Sequence, residues 1–262
     1  MQRSSSSPTS RRSPIWPTMS CGSNRAMPRS SPRCLPMYKR PRIAVIDSGV
    51  HPDHPHIDAL RLLPGISVLA DGTVLVDPVQ SLDTLGHGTA VTAAIQELAP
   101  DAEILPIRVF RDGLRASARA LATGIRQALE AQADMINLSL GTTNPAHADV
   151  FEALAGEAAA QGTLIVAASE AEGTPCWPGA LPQVVGVGLD WDLPRGTPVL
   201  SPDRQMVMAS GYPRPIPGVE PRRNLYGVSF AVAQVTGWIA ARGVHDLKVT
   251  ESVLAALEAS PA

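Results

Sequence analysis

Aromatic residues are scarce, with Phe, Trp and Tyr making up only 4% of the 262 residues. With hydrophobic residues at 44%, a core must come mainly from Ala, Val, Leu and Ile, and the length suits one principal domain. Cysteine is also sparse. Cys21, Cys34 and Cys176 form an odd set of three without CxxC spacing, which indicates neither a disulfide framework nor a zinc site. No run approaches the roughly 18 consecutive apolar residues of a membrane span, and no apolar h-region of a secretory signal opens the chain. A soluble, cytoplasmic protein with no membrane partner is expected. Acids are missing from residues 1–42, which hold nine of the 22 Lys and Arg. The rest carries 13 bases against 24 acids, so the body is acidic and lacks the clustered cations that phosphate contacts need. Nucleic acid is therefore not an expected partner.

Residues 1–40 are rich in Ser, Pro and Arg and show no apolar periodicity. Such a segment cannot offset the entropy of ordering, and an unstructured basic extension is expected there, followed by one catalytic domain over 41–262. Arg11-Arg12 and the acid-free composition also suit export or transit signals, but the many prolines and missing apolar run argue against both. Met37 is an alternative start just ahead of the first strand.

Beyond this point short β-branched runs alternate with Ala-rich helical patterns. Buried strands are expected at Arg42 to Ile46, Ala102 to Val109, Met135 to Ser139, Thr163 to Ala168 and Gln183 to Val187. Helices are expected at His87 to Glu97, Ser117 to Ala131, Ala148 to Ala160, Ser229 to Arg242 and Thr250 to Ala259. The alternation predicts an α/β fold, a doubly wound and mostly parallel sheet with helices on both faces. In such sheets ligands gather at the carboxyl ends of the strands.

Three residues fall where those ends are expected. Asp47 follows the apolar run Ile43-Ala44-Val45-Ile46 and precedes Ser48-Gly49, so its carboxylate lies at a strand end. Gly86-His87-Gly88-Thr89 opens a helix, and its glycines permit close approach to another backbone. Gly227-Val228-Ser229-Phe230-Ala231 places a hydroxyl at the start of an apolar helix, where a serine can also be no more than a cap. Singly these features are ordinary turn and cap signals.

Jointly, the order Asp, His, Ser with Asp-Ser-Gly, His-Gly-Thr and Gly-x-Ser-x-Ala around them resembles the subtilisin-like (subtilase, peptidase S8) serine proteases, over about Arg42 to Arg242. The resemblance implies an endopeptidase in which Asp47, His87 and Ser229 are the catalytic triad and the intermediate is an acyl-enzyme. It implies no metal and no organic cofactor. Ser139, Leu140 and Gly141 look like the strand that pairs with an extended peptide or protein substrate. Ala167 and Ala168 look like the opposite pocket wall, and Trp177-Pro178-Gly179 like the turn closing it, with Cys176 near the base. The oligomeric state stays open.

The chain departs from the family after the pocket strand. Val166 to Gly173 reads Val-Ala-Ala-Ser-Glu-Ala-Glu-Gly, where relatives carry an Asn that donates to the oxyanion. Ala171 takes that place without gaps, and Glu170 takes it after a one-residue slip; a carboxylate could donate only when protonated. Val228 and Ala233 replace the usual Thr and Pro around the serine. The His51-Pro52-Asp53-His54-Pro55-His56 run reads either as a transition-metal set or as a loop after the Asp47 strand, where relatives have a similar His-Pro pair. No calcium site is expected, because the inserted ligand loop is missing. These departures leave two alternatives beside a peptide-maturation endopeptidase: a pseudoprotease that only binds peptides, and an acyl transferase or peptide cyclase using the same triad. The roughly 40-residue extension is too short for a folded inhibitory prodomain, and self-processing near Lys39-Arg40 is conceivable.

Overall fold

A computed structural model describes residues 39–201, 206–243 and 250–258. Of the basic extension expected over residues 1–40, residues 1–38 lie outside the described residues, as do Cys21, Cys34 and the end of the last expected helix at Ala259.

The strands are β1 (Arg42–Asp47), β2 (Ile66–Val68), β3 (Val74–Leu75), β4 (Glu103–Arg108), β5 (Met135–Leu138), β6 (Leu164–Ala168), β7 (Glu170–Ala171), β8 (Thr174–Pro175), β9 (Val185–Leu189), β10 (Val199–Ser201) and β11 (Met206–Ala209). The α-helices are α1 (His87–Leu98), α2 (Ala118–Glu130), α3 (Ala148–Gln161), α4 (Val228–Ala241) and α5 (Thr250–Glu258). Nine strands form one sheet in the order β10-β11-β9-β6-β5-β1-β4-β2-β3. Pairing is parallel throughout its centre and antiparallel only at β10–β11 and β2–β3. The fold is α/β, a doubly wound and mostly parallel sheet.

The alternation of β1 explains the layers. Ile43 and Val45 join a core with Val91 and Ile95 of α1, Val232 and Ile239 of α4 and Val253 of α5. Ala44 and Ile46 face the other way, into a core with Leu121 and Ile125 of α2 and Phe151 and Leu154 of α3. A strand buried on both faces needs such a continuous apolar run. Helices α1 and α4 approach closely because Gly237 leaves room: a Cβ there would lie 2.9 Å from the Leu98 Cβ.

The chain runs from β1 through α1 to β4 on one side, then through α2 to β5 on the other. The winding reverses at β1, and the carboxyl ends of β1 and β5 border the crevice that such a reversal opens. Asp47 ends β1 and Ser139 follows β5. The strand expected over Gln183 to Val187 lies two residues further on, at Val185–Leu189.

Candidate active site

Asp47 is fully buried at the end of β1. Its Oδ1 accepts the Ser48 backbone N–H at 2.7 Å and the His87 Nδ1–H at 2.7 Å. Since a carboxylate only accepts, this bond fixes the imidazole proton on Nδ1 and leaves the Nε2 lone pair as a base. His87 is the first residue of α1 and is itself buried. The absence of a side chain at Gly88 makes the approach possible: a Cβ there would stand 2.2 Å from the Gly49 carbonyl oxygen and 3.1 Å from Asp47 Oδ1. Its N–H donates instead to Ser48 Oγ at 2.8 Å.

The start of α1 is held by Asp83, which the sequence reading passed over. Its Oδ1 accepts the Leu85 and Gly86 N–H groups at 2.8 and 2.9 Å. Its Oδ2 accepts the Thr89 N–H at 2.9 Å and the Thr89 hydroxyl at 2.7 Å. The available signal was an acid four residues ahead of the helix-opening histidine. Phe110 and Phe230 flank the imidazole, with ring centroids 6.4 and 5.6 Å away. Burial disfavours the imidazolium, yet the hydrogen bond and charge of Asp47 and the charge of Asp83 outweigh it and raise the His87 pKa above its ordinary value.

Ser229 is the second residue of α4, whose cap position is Gly227 and carries no side-chain cap. The serine is therefore not an N-cap, which excludes the bland alternative for that hydroxyl. Its Oγ donates to the Ser139 carbonyl at 3.2 Å, so in this resting arrangement the hydroxyl is turned towards the β5 end. The structure thus brings Asp47 and His87 into direct contact and sets Ser229 against Ser139. Helix α4 is tied to β5 by a buried pair that the sequence did not reveal: the Thr236 hydroxyl donates to Asn137 Oδ1 at 2.9 Å, and Asn137 Nδ2 donates to Ser139 Oγ at 3.2 Å. This fixes the serine's helix to the strand beside β1.

Around this centre, Ser139 is buried while Leu140 and Gly141 are half-buried. The next residue, Thr142, exchanges two backbone hydrogen bonds with Trp177, both 2.9 Å long. Cys176 is buried with its Sγ 2.6 Å from where a Gly141 Cβ would lie, and burial pushes its thiol pKa up. Ala167 and Ala168 are buried in β6, and the Trp177-Pro178-Gly179 turn lies on the end of that strand, where a Gly179 Cβ would come within 1.9 Å of the Ala168 carbonyl. Glu170 and Ala171 form β7, which pairs with β8 in a hairpin; Glu170 is half-buried and Ala171 exposed. Among the described residues no group of three His, Cys, Asp or Glu could hold a metal ion, and the His51 to His56 run forms a loop after β1.

Residues 39–189 match the model of the subtilase family. The chain belongs to that family. The matched span carries the Asp47–His87 pair of this subtilase and ends before Ser229. Minor extracellular protease Epr of Bacillus subtilis (strain 168) is 30% identical over 161 residues, 57% of this chain and 23% of its own length. The intracellular serine protease of Paenibacillus polymyxa is 29% identical over 163 residues, covering 56% of this chain and 48% of that protein. The chain thus spans less than half the length of these curated relatives. Among solved structures, the prenylagaramide maturation protease PagA matches with a TM-score of 0.58 and 25% identity, over 80% of this chain and 77% of the other. A lanthipeptide protease shares the fold at a TM-score of 0.60 and 19% identity, over 82% of this chain and 78% of the other. No helix among the described residues is long and apolar enough to cross a membrane.

Proposed function

We propose that this subtilase is a serine endopeptidase in which Ser229 is the nucleophile, His87 the general base and Asp47 the residue that orients it. The observation that carries the reading is the buried 2.7 Å Asp47–His87 bond at the carboxyl end of β1, taken with a serine at the start of an apolar helix. Rotation of the Ser229 side chain away from the Ser139 carbonyl exchanges one acceptor for another, the His87 Nε2 lone pair; such bonds tighten when substrate arrives. Oγ then bonds to the peptide carbonyl carbon as its proton passes to Nε2. Nε2–H returns the proton to the amine as the C–N bond breaks, and water repeats the sequence on the acyl-enzyme. The backbone N–H of Ser229, at the positive end of α4, is the proposed oxyanion donor.

The substrate proposed is an extended peptide lying along Ser139, Leu140 and Gly141, with Ala167, Ala168 and Cys176 forming the pocket for the residue at the cleaved bond. The likeness to a maturation protease favours a dedicated precursor peptide over bulk protein. A single domain from residue 41 and a cytoplasmic location belong to the same proposal. One observation favours a second reading, a peptide-binding pseudoprotease: Ala171, on an exposed hairpin, offers only a methyl group where an amide would serve the oxyanion.

A fluorophosphonate probe followed by intact mass separates the two. Labelling that disappears in both Ser229→Ala and His87→Ala is the expected result. A folded protein that never labels would overturn the endopeptidase and leave the binding module.

A further inference from the structure

A cavity of about 330 Å³ adjoins the start of α1. Its walls come from the loop after β1 (His51, His54, His56), the first turn of α1 and the segment leading to Ser229 (Arg214, Ile216, Leu225). None of the residues proposed for the acyl side of the groove lines it. It is therefore separate from the acyl-side residues and borders the turn and helix start that carry His87, and the leaving side of the bond is the side assigned to it below.

The lining holds one guanidinium, three imidazoles and one carboxylate. Arg214 is half-buried and donates through Nη1 to the His56 carbonyl at 3.2 Å, and among the described residues it has no carboxylate partner. His54 Nδ1 accepts the His56 N–H at 3.2 Å, so its proton sits on Nε2 as a donor. Asn224 Oδ1 accepts the Leu225 N–H at 2.8 Å, which leaves its amide hydrogens as donors. Burial, then the charges of Arg214 and His54, hold the His56 pKa below its ordinary value. Asp83 is the acid that lines the cavity, and both its oxygens are committed to Leu85, Gly86 and Thr89. Glu97, whose charge also reaches His56, is ion-paired with Arg195.

We propose that this cavity is a specificity pocket for an acidic side chain on the leaving side of the cleaved bond, with the Arg214 guanidinium as its principal anchor. An unpaired guanidinium with a neighbouring imidazole N–H presents several converging donors and no acceptor, which matches a carboxylate. The apolar Ile216 and Leu225 at its margin reduce the water competing for that bond.

The inference rests on the endopeptidase reading, so its test has a part that needs no turnover. Fluorescein-labelled hexapeptides differing only in Asp against Asn at each of three leaving-side positions are titrated against Ser229→Ala protein. At one position the Asp peptide should bind about 10-fold more tightly, one charge-assisted contact being worth roughly that much. The preference should collapse to about one in Ser229→Ala/Arg214→Gln and return in part with Arg214→Lys. Equal binding of Asp and Asn peptides at all three positions, or a preference that survives Arg214→Gln, overturns the pocket. In the wild-type protein the same peptides report cleavage. An intact Asp preference in a wild-type protein that neither cleaves these peptides nor labels with the fluorophosphonate would sink the endopeptidase and keep the cavity as the acidic-side-chain site of a peptide-binding module.

Discussion

Four hydrogen bonds converge on the Asp83 carboxylate, and all four come from the first residues of α1 or the turn before it. A buried acid so used sets where His87 begins its helix, and its charge also helps to raise the His87 pKa. Asp83→Asn places an amide donor against the Thr89 N–H, a clash of two donors with an expected stability loss of about 1–3 kcal/mol. The fluorophosphonate labelling rate should fall about 10-fold. The pH profile separates positioning from mere loosening. Labelling needs neutral His87, so it should rise with pH through a midpoint above the ordinary histidine value. Removing the Asp83 charge should move that midpoint to lower pH, whereas a simply destabilised protein would keep it. Linkage has the opposite sense: a raised folded pKa stabilises the protein fully below the unfolded value, and that contribution fades as pH climbs through the folded one. The neutral, basic form of His87 is therefore the one that gains least from its carboxylate neighbours.

The elements that carry Asp47, His87 and Ser229 were legible because each has a strong local signature. Strands β1, β4, β5 and β6 are buried on both faces and read as continuous apolar runs. Helix α4 is buried over almost its whole length, so its apolar stretch stood out. The outer strands β2, β3, β10 and β11 are only two to four residues long, too short for period-two alternation to register. Strand β9 alternates Val with Gly, which blurs its start. Asp83, Thr236 and Asn137 escaped notice as positioning residues because their partners are distant in sequence or lie in a turn, and no local pattern encodes that. The β7–β8 hairpin holds Glu170 and Ala171, one of which takes the place of the oxyanion asparagine in the proposed site. The Ala171 side chain has no donor, while in subtilisin loss of the oxyanion asparagine costs about 10² to 10³ in turnover. Ala171→Asn should accordingly raise kcat on a cleaved peptide by about 10-fold or more with little change in KM, because the new bond forms only as charge develops. An unchanged kcat would place the oxyanion donors elsewhere.

Both cores draw their members, among the described residues, from Ile43 onward. The first anchors of the chain lie just before them: Lys39 pairs with Asp134 at 3.0 Å, and the Arg42 backbone N–H donates to Asp134 Oδ2 at 2.9 Å. The Lys39 side chain is 58% exposed, so its pair adds little. The Arg42 bond instead starts β1 beside the loop leading into β5, and thereby fixes the sheet register around Asp47. If the domain begins near residue 41, the preceding residues hold none of the contacts that define stability. A chain starting at Met37 keeps Lys39 and Arg42 and should melt within about 2 °C of the full-length protein, because a shift of that size corresponds to no more than about 1 kcal/mol for a domain this large. Its fluorophosphonate labelling rate should match as well. A truncated chain that folds only when residues 1–36 are supplied separately would instead assign that segment a part in folding, and would move the domain boundary towards the N-terminus.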